Sequence, residues 1–420
     1  MNALLAPIGS VLGGVALLLL GHGLLNTLLT LRGVAEGFST GLIGLLTSGY
    51  FFGYLIGSWT APPLIRRIGY IRTFAFCAAL AAVIALLHLL LIDAWAWLVL
   101  RILYGTALVT LYMVVESWLN ARADGERRGQ IFAIYMVVNL GALAVAQQLL
   151  RLDSPMTFTL FVLAAIFVCA ALMPVTLTRQ AQPSLPDAPT TDLLQLARIA
   201  PLPLAASALS GFALSAFWGL APVYASHIGF DAAGVGWMMS LTILGGALLQ
   251  WPIGRFSDRH DRGLVLRAVV MAAALLALLV SLLPAGALQL AAMFVWGGLA
   301  FSIYSVAVAQ MVDQLHPDEI LSGSSGLLLA NGVGAALGPL AAGAVMSMAG
   351  PRGLPLFFAI SLGLLAAYAF YRSRRVVDLL SEPHGHFTPM LRTSHRVLEI
   401  MPDAPAPADP QEEPARAGHG

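Results

Sequence analysis

The sequence predicts an all-α membrane protein in which twelve transmembrane helices form two pseudo-symmetric six-helix bundles. Three observations predict this fold: an apolar composition, twelve long apolar runs and an internal repeat. Of the 420 residues, 59% are hydrophobic and 10% are charged, and the mean hydropathy is +0.83. Soluble domains carry about 25% charged residues. The composition therefore excludes an ordinary soluble protein.

The apolar runs set the predicted spans, because a helix needs about 20 apolar residues to cross a bilayer. We expect spans at 8–31, 40–62, 72–92, 95–119, 130–150 and 156–178, and again at 200–224, 232–253, 264–283, 287–311, 323–349 and 353–372. A secretory signal has positively charged residues before its apolar run, and no Lys or Arg precedes the first run here. We therefore expect the first run to be retained as a span.

The spans divide the chain into four predicted segments. Residues 8–178 form an N-terminal six-helix bundle and residues 200–372 a C-terminal one. Residues 179–199 form a cytoplasmic linker, marked by Pro183, Pro186 and Pro189. Residues 373–420 form a cytoplasmic tail, and their Pro, Glu, Asp and Gly content predicts disorder.

The two halves repeat one another at a constant offset of 192 residues. Residues Gly37, Phe38, Gly44, Ser48, Gly53, Trp59, Arg67, Gly105, Tyr112 and Asn139 recur as Gly229, Phe230, Gly236, Ser240, Gly245, Trp251, Arg259, Gly297, Tyr304 and Asn331. Paired glycines predict close helix packing, and the paired asparagines predict hydrogen bonds across a helix interface. Two parallel repeats in a membrane protein are typical of transporters with a central site between the halves.

The arginines predict the orientation, because short loops rich in positive charge stay in the cytoplasm. The chain has no lysine, and fifteen of its arginines lie in one set of loops and at the start of the tail, against three in the opposite loops. Both termini are therefore expected in the cytoplasm of a bacterial cell, with the protein in the inner membrane. We expect the lipid bilayer as surroundings, a monomer, and no nucleic-acid partner, because the net charge is only +1.

No cofactor, metal or catalytic activity is expected. The chain lacks the lysine that a nucleotide-binding loop requires, and its spans contain no nucleophile triad, paired carboxylates or metal cluster. Cys77 and Cys169 lie within spans, where we expect small buried side chains. His384, His386 and His395 fall in the tail without cysteine or carboxylate partners, so they do not predict a metal site.

A polar loop after the eighth span predicts a gate. It carries Gly254, Asp258, Arg259 and Arg262, and Asp258 is expected to cap a helix or pair with an arginine. The pattern resembles the signature loop of the major facilitator superfamily, except that Asp261 replaces a second glycine. In the first half Arg67 and Gly69 keep the pattern, but Pro62 replaces the glycine and Arg66 the aspartate. A gating interaction there would need another carboxylate, and Asp124 and Glu126 are candidates.

Further motifs support the resemblance. Arg101-Ile-Leu-Tyr-Gly105 is similar to a motif that the superfamily associates with proton coupling. The strings from Glu116 to Asn120 and from Phe387 to Ser394 resemble the YcaD-type bacterial permeases. Helix 5 lacks the Gly-Pro motif of many antiporters in the superfamily, so uptake and efflux both remain open. The resemblance implies secondary transport over about residues 8–372.

Charged and polar residues inside the spans are the candidates for the substrate and proton pathway. Arg101 and Glu116 are charges within a span, where burial is costly, and Tyr112 shares their stripe on helix 4. The resemblance places helices 1, 4, 7 and 10 around a cavity, which adds His22, Asn26, Trp218, Tyr304 and Gln310. Gln147 and Gln148 could meet a ligand or lipid headgroups.

Several roles stay open for the two charges. Arg101 could bind an anionic group or modulate a proton site, or it could anchor the helix at the outer membrane face. Glu116 could titrate during transport, pair with Arg122 or cap the loop that follows.

The sequence thus predicts a secondary active transporter of a small solute that works by alternating access, with protons as the expected coupling ion. One arginine, aromatic side chains and few carboxylates favour an anionic or amphipathic solute. The alternative is a membrane sensor or scaffold that kept the fold and lost transport.

Overall fold

The computed structural model describes residues 9–121, 128–176, 193–316 and 319–373, and in these residues twelve helices are long and apolar enough to cross a membrane. This confirms the predicted fold class. The helices are α1 Gly9–Ala35, α2 Thr40–Ile68, α3 Tyr70–Leu90, α4 Ala94–Asn120, α5 Arg128–Gln148, α6 Thr159–Thr176 with a break at Ala171, α7 Pro201–His227, α8 Ala232–Ser257, α9 Arg262–Leu282, α10 Ala287–Val312, α11 Ile320–Ala349 and α12 Gly353–Ser373.

The ends of several helices differ from the predicted spans. Helix α2 continues six residues past 62, through Pro62 and Pro63, and ends at Gly69, whose φ of 83° favours glycine. Part of the predicted linker, Leu193–Ile199, is a short helix. The rest of that linker and the tail beyond 373, including its histidines, lie outside the described residues.

Helices within each half pack in equivalent ways. Helix α2 packs against α4, and α8 packs against α10. A Cβ at Gly105 would collide with the Tyr50 carbonyl oxygen, and one at the equivalent Gly297 with that of Thr242. Only glycine allows this close approach. Close packing is thus present at Gly105 and Gly297, whereas Gly37 and Gly229 have a positive φ and no neighbour within 4 Å of an added Cβ.

The two halves meet through α1 with α7, α2 with α11, and α5 with α8. These contacts repeat about the pseudo-twofold axis. The Leu340 N–H donates to Ser48 Oγ at 3.0 Å, and in the equivalent place Gln148 Nε2 donates to Ser240 Oγ at 2.7 Å. Pro339 interrupts the hydrogen bonding of α11, so the adjacent N–H finds its acceptor in the other half.

These hydrogen bonds lie at the end of the molecule that carries the α1–α2 and α7–α8 turns, which we call the closed end. Ser48 lies in the first half of α2, and Ser240 in the first half of α8. The opposite end, which carries the described chain ends and the linker helix, is the terminal end. Gln147 accepts from Thr27 Oγ1 at 2.6 Å, so neither Gln147 nor Gln148 faces a ligand or headgroups as we had allowed. Both hold helices together.

Candidate functional site

A cavity lies in the N-terminal half beside the pseudo-twofold axis, and we call it the N chamber. It encloses about 630 Å³ of empty space, part of it open to solvent. The side chains of α1, α2, α4 and α5 and one residue of α7 line it: His22, Gly23, Asn26, Tyr50, Phe51, Tyr54, Tyr112, Leu143 and Trp218. The structure therefore brings together four of the predicted pathway residues, His22, Asn26, Tyr112 and Trp218.

Arg101 lies behind the wall of the N chamber, and the lining side chains of Asn26 and Tyr50 contact it. Its Nη2 donates to Asn26 Oδ1 at 2.8 Å, and its Cζ lies 4.8 Å from the centre of the Tyr50 ring. His22 stacks against both Tyr50 and Tyr104, with ring centroids 5.7 and 5.8 Å away, and these two tyrosine rings are 6.3 Å apart. The guanidinium therefore reaches the chamber through the Asn26 amide and the aromatic wall, and not through direct exposure.

The charge on Arg101 is uncompensated within the part of the chain that the structure describes. The residue is 4% exposed, its Nη1 has no hydrogen-bond partner, and no ion pair joins it to a carboxylate. The Tyr50 ring supplies a cation–π contact only. A buried charge without a partner is costly in a membrane and usually marks function. The N chamber thus has a positive wall.

Asn26 also joins the halves. Its Nδ2 donates to the Trp218 carbonyl oxygen at 3.0 Å, and these residues are 192 positions apart, so they are equivalent in the repeat. Thr30 Oγ1 donates to the neighbouring Gly219 carbonyl at 3.1 Å. Asn26 therefore links Arg101 to α7 across the axis.

A second cavity of about 490 Å³, the C chamber, lies in the C-terminal half. It is lined by Phe51, Ser210, Gly211, Leu214, Ser215, Trp218, Phe301, Tyr304, Asn331 and Ala335. Asn331 donates to the Ser207 carbonyl and Ser215 to that of Phe212, so both polar groups are occupied. Tyr304 thus takes part in a cavity, as predicted. Phe51 and Trp218 belong to the walls of both chambers.

Glu116 is fully buried inside the N-terminal half. Its Oε1 accepts from Tyr135 Oη of α5 at 2.8 Å. Asn139 lies one turn beyond Tyr135 and is fully buried, yet neither of its amide atoms has a partner among the described residues, whereas Asn331 Nδ2 donates to the Ser207 carbonyl. The predicted interface hydrogen bond is thus present at Asn331 and absent at Asn139. Arg122, the predicted partner of Glu116, lies outside the described residues.

The predicted gating loop of the second half contains an ionic cluster. Arg262, whose side chain is 2% exposed, lies 3.3 Å from Asp258 and 3.4 Å from Asp313. This ties the ends of α8, α9 and α10 together. The cap of α9 is Asp261, which accepts from the Leu264 N–H, and not Asp258. Gly254 is helical within α8 and does not form a turn.

Two other candidate residues, one in the loop and one on α10, lie outside this cluster. Arg259 is exposed, beyond the end of α8. Gln310, which we had predicted on the cavity side of α10, lies beside Gly263 in the first turn of α9. A Cβ added at Gly263 would lie 3.4 Å from Gln310 Nε2. It lines neither the N chamber nor the C chamber.

The first-half loop is built differently. Tyr70 occupies the position equivalent to Arg262 and packs against Trp118, with ring centroids 6.2 Å apart. Arg66 and Arg67 are exposed in the last turn of α2. An aromatic contact thus takes the place of the ionic cluster. Asp124 and Glu126, the carboxylates predicted to replace Asp258, lie outside the described residues.

We expect Asp313→Asn to lower the unfolding temperature, because it leaves the buried Arg262 with less negative charge. Removing one partner of an ion pair leaves the buried guanidinium less compensated, which destabilises the folded state. Asp261→Asn is the control: asparagine also caps helices, and the Asp261–Arg267 pair is exposed and 3.9 Å long. Thermal unfolding of the purified proteins measures both. An equal loss in the two variants would contradict the cluster.

Sequence reasoning missed several residues of the site. Tyr50 and Phe51 carry no charge and follow no motif, and Tyr104 lies at a variable position of the Arg101–Gly105 motif. Asp313 lies 55 residues from Asp258. Tyr135 could have been found, since an intramembrane carboxylate requires a donor. Within the described part of the chain, no group of three His, Cys, Asp or Glu side chains could hold a metal.

Two adjacent cavities in two repeat-related bundles, which contact each other at one end, are typical of a transporter. The chain belongs to the Major Facilitator Superfamily, whose family model matches residues 11–328 and 203–399.

Its relatives include the uncharacterized MFS-type transporter YcaD of Escherichia coli, 30% identical over 346 residues, which are 81% of this chain and 88% of YcaD. The uncharacterized MFS-type transporter YE1530 of Yersinia enterocolitica is 29% identical over 93% of this chain and 99% of its own. The resemblance to the YcaD-type permeases is confirmed.

Solved structures share the fold. The nucleoside transporter NupG superimposes with a TM-score of 0.74 at 16% identity, covering 89% of this chain and 100% of its own. A bacterial homologue of the human lysosomal transporter Spinster gives 0.64 at 17% identity, covering 88% and 97%.

Proposed function

We propose that this protein is a proton-coupled secondary transporter of a small anionic or amphipathic solute, and that it works as a monomer in a bacterial inner membrane. The observation that carries the proposal is the uncompensated charge of Arg101 behind the N chamber. The arginine distribution supports cytoplasmic termini. The closed end then faces outward, and this conformation opens to the cytoplasm.

An anion in the N chamber would supply the charge that Arg101 lacks. Asn26 and the Tyr50 ring lie between the Arg101 guanidinium and the cavity. An anion in the cavity would therefore come within a few ångströms of the guanidinium without displacing α4. In a site of low dielectric, charges at such distances interact far more strongly than in water. A cation would meet the opposite sign, and neither chamber has a carboxylate in its lining.

Glu116 supports proton coupling. It is a fully buried carboxylate in α4, the helix that also carries Arg101 and Tyr112, and Tyr135 donates to it from α5. Gain of a proton would remove one negative charge from the contact between α4 and α5. Gain and loss of this proton would therefore bias how α4 packs against α5 during the transport cycle.

A ligand screen tests the function directly. Binding stabilises the native state, so a solute that raises the unfolding temperature of the purified protein is a candidate. Each candidate is then offered to proteoliposomes with an imposed pH gradient. Accumulation of anions that collapses when the gradient is dissipated supports the proposal. Binding without flux would instead favour a sensor, and flux of cations alone would contradict the anionic class.

We expect Glu116→Gln to abolish accumulation driven by a pH gradient but to retain exchange of solute across the membrane, because the amide cannot titrate. Glu319→Gln, at the terminal end, is the control; its carboxylate accepts from Gln195 and lies outside the spans. Both fluxes are measured in the same proteoliposomes. Gradient-driven accumulation at the wild-type level in Glu116→Gln would rule out Glu116 as the coupling site.

A further inference from the structure

The two chambers are duplicates of one another. Leu214, Ser215, Trp218, Tyr304 and Ala335 of the C chamber are the repeat equivalents, 192 residues on, of residues in the N chamber. Their counterparts are His22, Gly23, Asn26, Tyr112 and Leu143. Five equivalent positions of each half therefore line a cavity, and the residues at these positions differ in chemistry.

We propose that the C chamber binds the apolar part of an amphipathic monoanion whose charged group lies in the N chamber. This inference rests on the proposed function and specifies its substrate class. The solute would then span the pseudo-twofold axis, with one end in each half.

The substitutions between the chambers separate polar from apolar chemistry. Leu214 replaces His22, and Trp218 replaces Asn26. Behind the walls, Met293 stands where Arg101 does in the first half. Only the N chamber therefore has a nearby charge, and an anionic group would bind there.

The walls of the C chamber suit a hydrocarbon or aromatic group. Phe51, Leu214, Trp218 and Phe301 provide large apolar surfaces. Phe301 and Trp218 form an edge-to-face pair with centroids 6.1 Å apart, which keeps the wall rigid. Ser210 is buried and adds one hydroxyl without a partner, so the chamber would tolerate a single polar substituent.

The chambers are adjacent, because Phe51 and Trp218 line both of them. A solute that occupied only the N chamber would leave the apolar walls beyond Phe51 and Trp218 unused. A short chain attached to the anionic group would cover them.

The test uses straight-chain carboxylates from acetate to octanoate, titrated calorimetrically into the full-length protein in lipid nanodiscs, with empty nanodiscs subtracted. Burial of each methylene is expected to lower Kd about fourfold until the C chamber is filled. The corresponding 1-alkanols, which lack the charge, are titrated in parallel. We expect them to bind more weakly at every chain length.

Two variants locate the apolar part. Ala335→Phe fills the C chamber and should make Kd nearly independent of chain length. Leu214→Asn is the second variant, in case Ala335→Phe does not fold. It introduces a polar group without added volume and should reduce the gain in affinity per methylene. Val333→Phe adds a phenyl ring on the outward side of the same helix, where Val333 is 47% exposed, and should keep the wild-type dependence.

The outcomes separate the two proposals. The role of the C chamber is overturned if the Kd of the carboxylates does not depend on chain length, or if this dependence is unchanged in both C-chamber variants. Either result leaves the anionic class standing. Alkanols that bind as tightly as carboxylates overturn the anionic class and leave the chamber standing. Absence of binding by every probe overturns both.

Discussion

Arg101→Ala is expected to abolish transport while the protein still inserts and folds. The substitution removes the positive charge behind the N chamber, so an anion loses its counter-charge. We expect flux in proteoliposomes to fall at least about tenfold, which corresponds to about 1.4 kcal/mol. The unfolding temperature should stay level or rise, because the variant no longer buries an unpaired charge.

Two comparisons make this result specific. Arg352→Ala removes an exposed arginine in the turn before α12 and should leave flux unchanged. Arg101→Lys keeps the charge but loses the planar donor group that reaches Asn26, so it should retain part of the flux. Undiminished transport by Arg101→Ala would remove this residue from the mechanism.

Gly44→Ala is expected to prevent the closed end from closing. A Cβ at Gly44 would collide with the backbone carbonyl of Pro339 in the other half, and backbone cannot move aside as a side chain can. Overpacking costs about 1–3 kcal/mol. Because the clash exists only when the halves meet, the ratio of closed to open molecules should fall by roughly 5- to 150-fold.

The accessibility of a cysteine introduced at Thr47 measures this shift. Thr47 is 3% exposed and packs under Gly219 at the closed end. Cys77 and Cys169 are replaced first, and an impermeant maleimide is added outside. Alkylation should accelerate in Gly44→Ala but not in Gly41→Ala, where a Cβ would meet nothing within 4 Å. Equal rates would show that Gly44 does not govern closure.

The fold was predictable from the sequence because it follows from the apolar composition and the internal repeat. Apolar runs give the spans, and the repeat gives their pairing, as Gly105 and Gly297 show by meeting equivalent carbonyls. The predicted span ended at 62 with the apolar run, whereas α2 continues through Pro62 and Pro63 to Ile68.

The site was predictable in part. Charge inside a span identified Arg101 and Glu116, and shared helix faces identified His22, Asn26 and Tyr112. Which side chains stand in front of Arg101 could not be predicted, because that depends on how α1, α2 and α4 pack. Gln310 shows the same limit: its position on a cavity-lining helix gave no indication that it lies against Gly263.

The bond between Asn26 and the Trp218 carbonyl joins a position to its own duplicate. Contacts away from the symmetry axis come in matched pairs, such as Ser48 with Leu340 and Ser240 with Gln148. On the axis one partner must donate and the other accept, so the two halves cannot be chemically alike there. A solute lying across the axis meets unlike surfaces on its two sides. We therefore expect a solute with two different ends to bind in a single orientation.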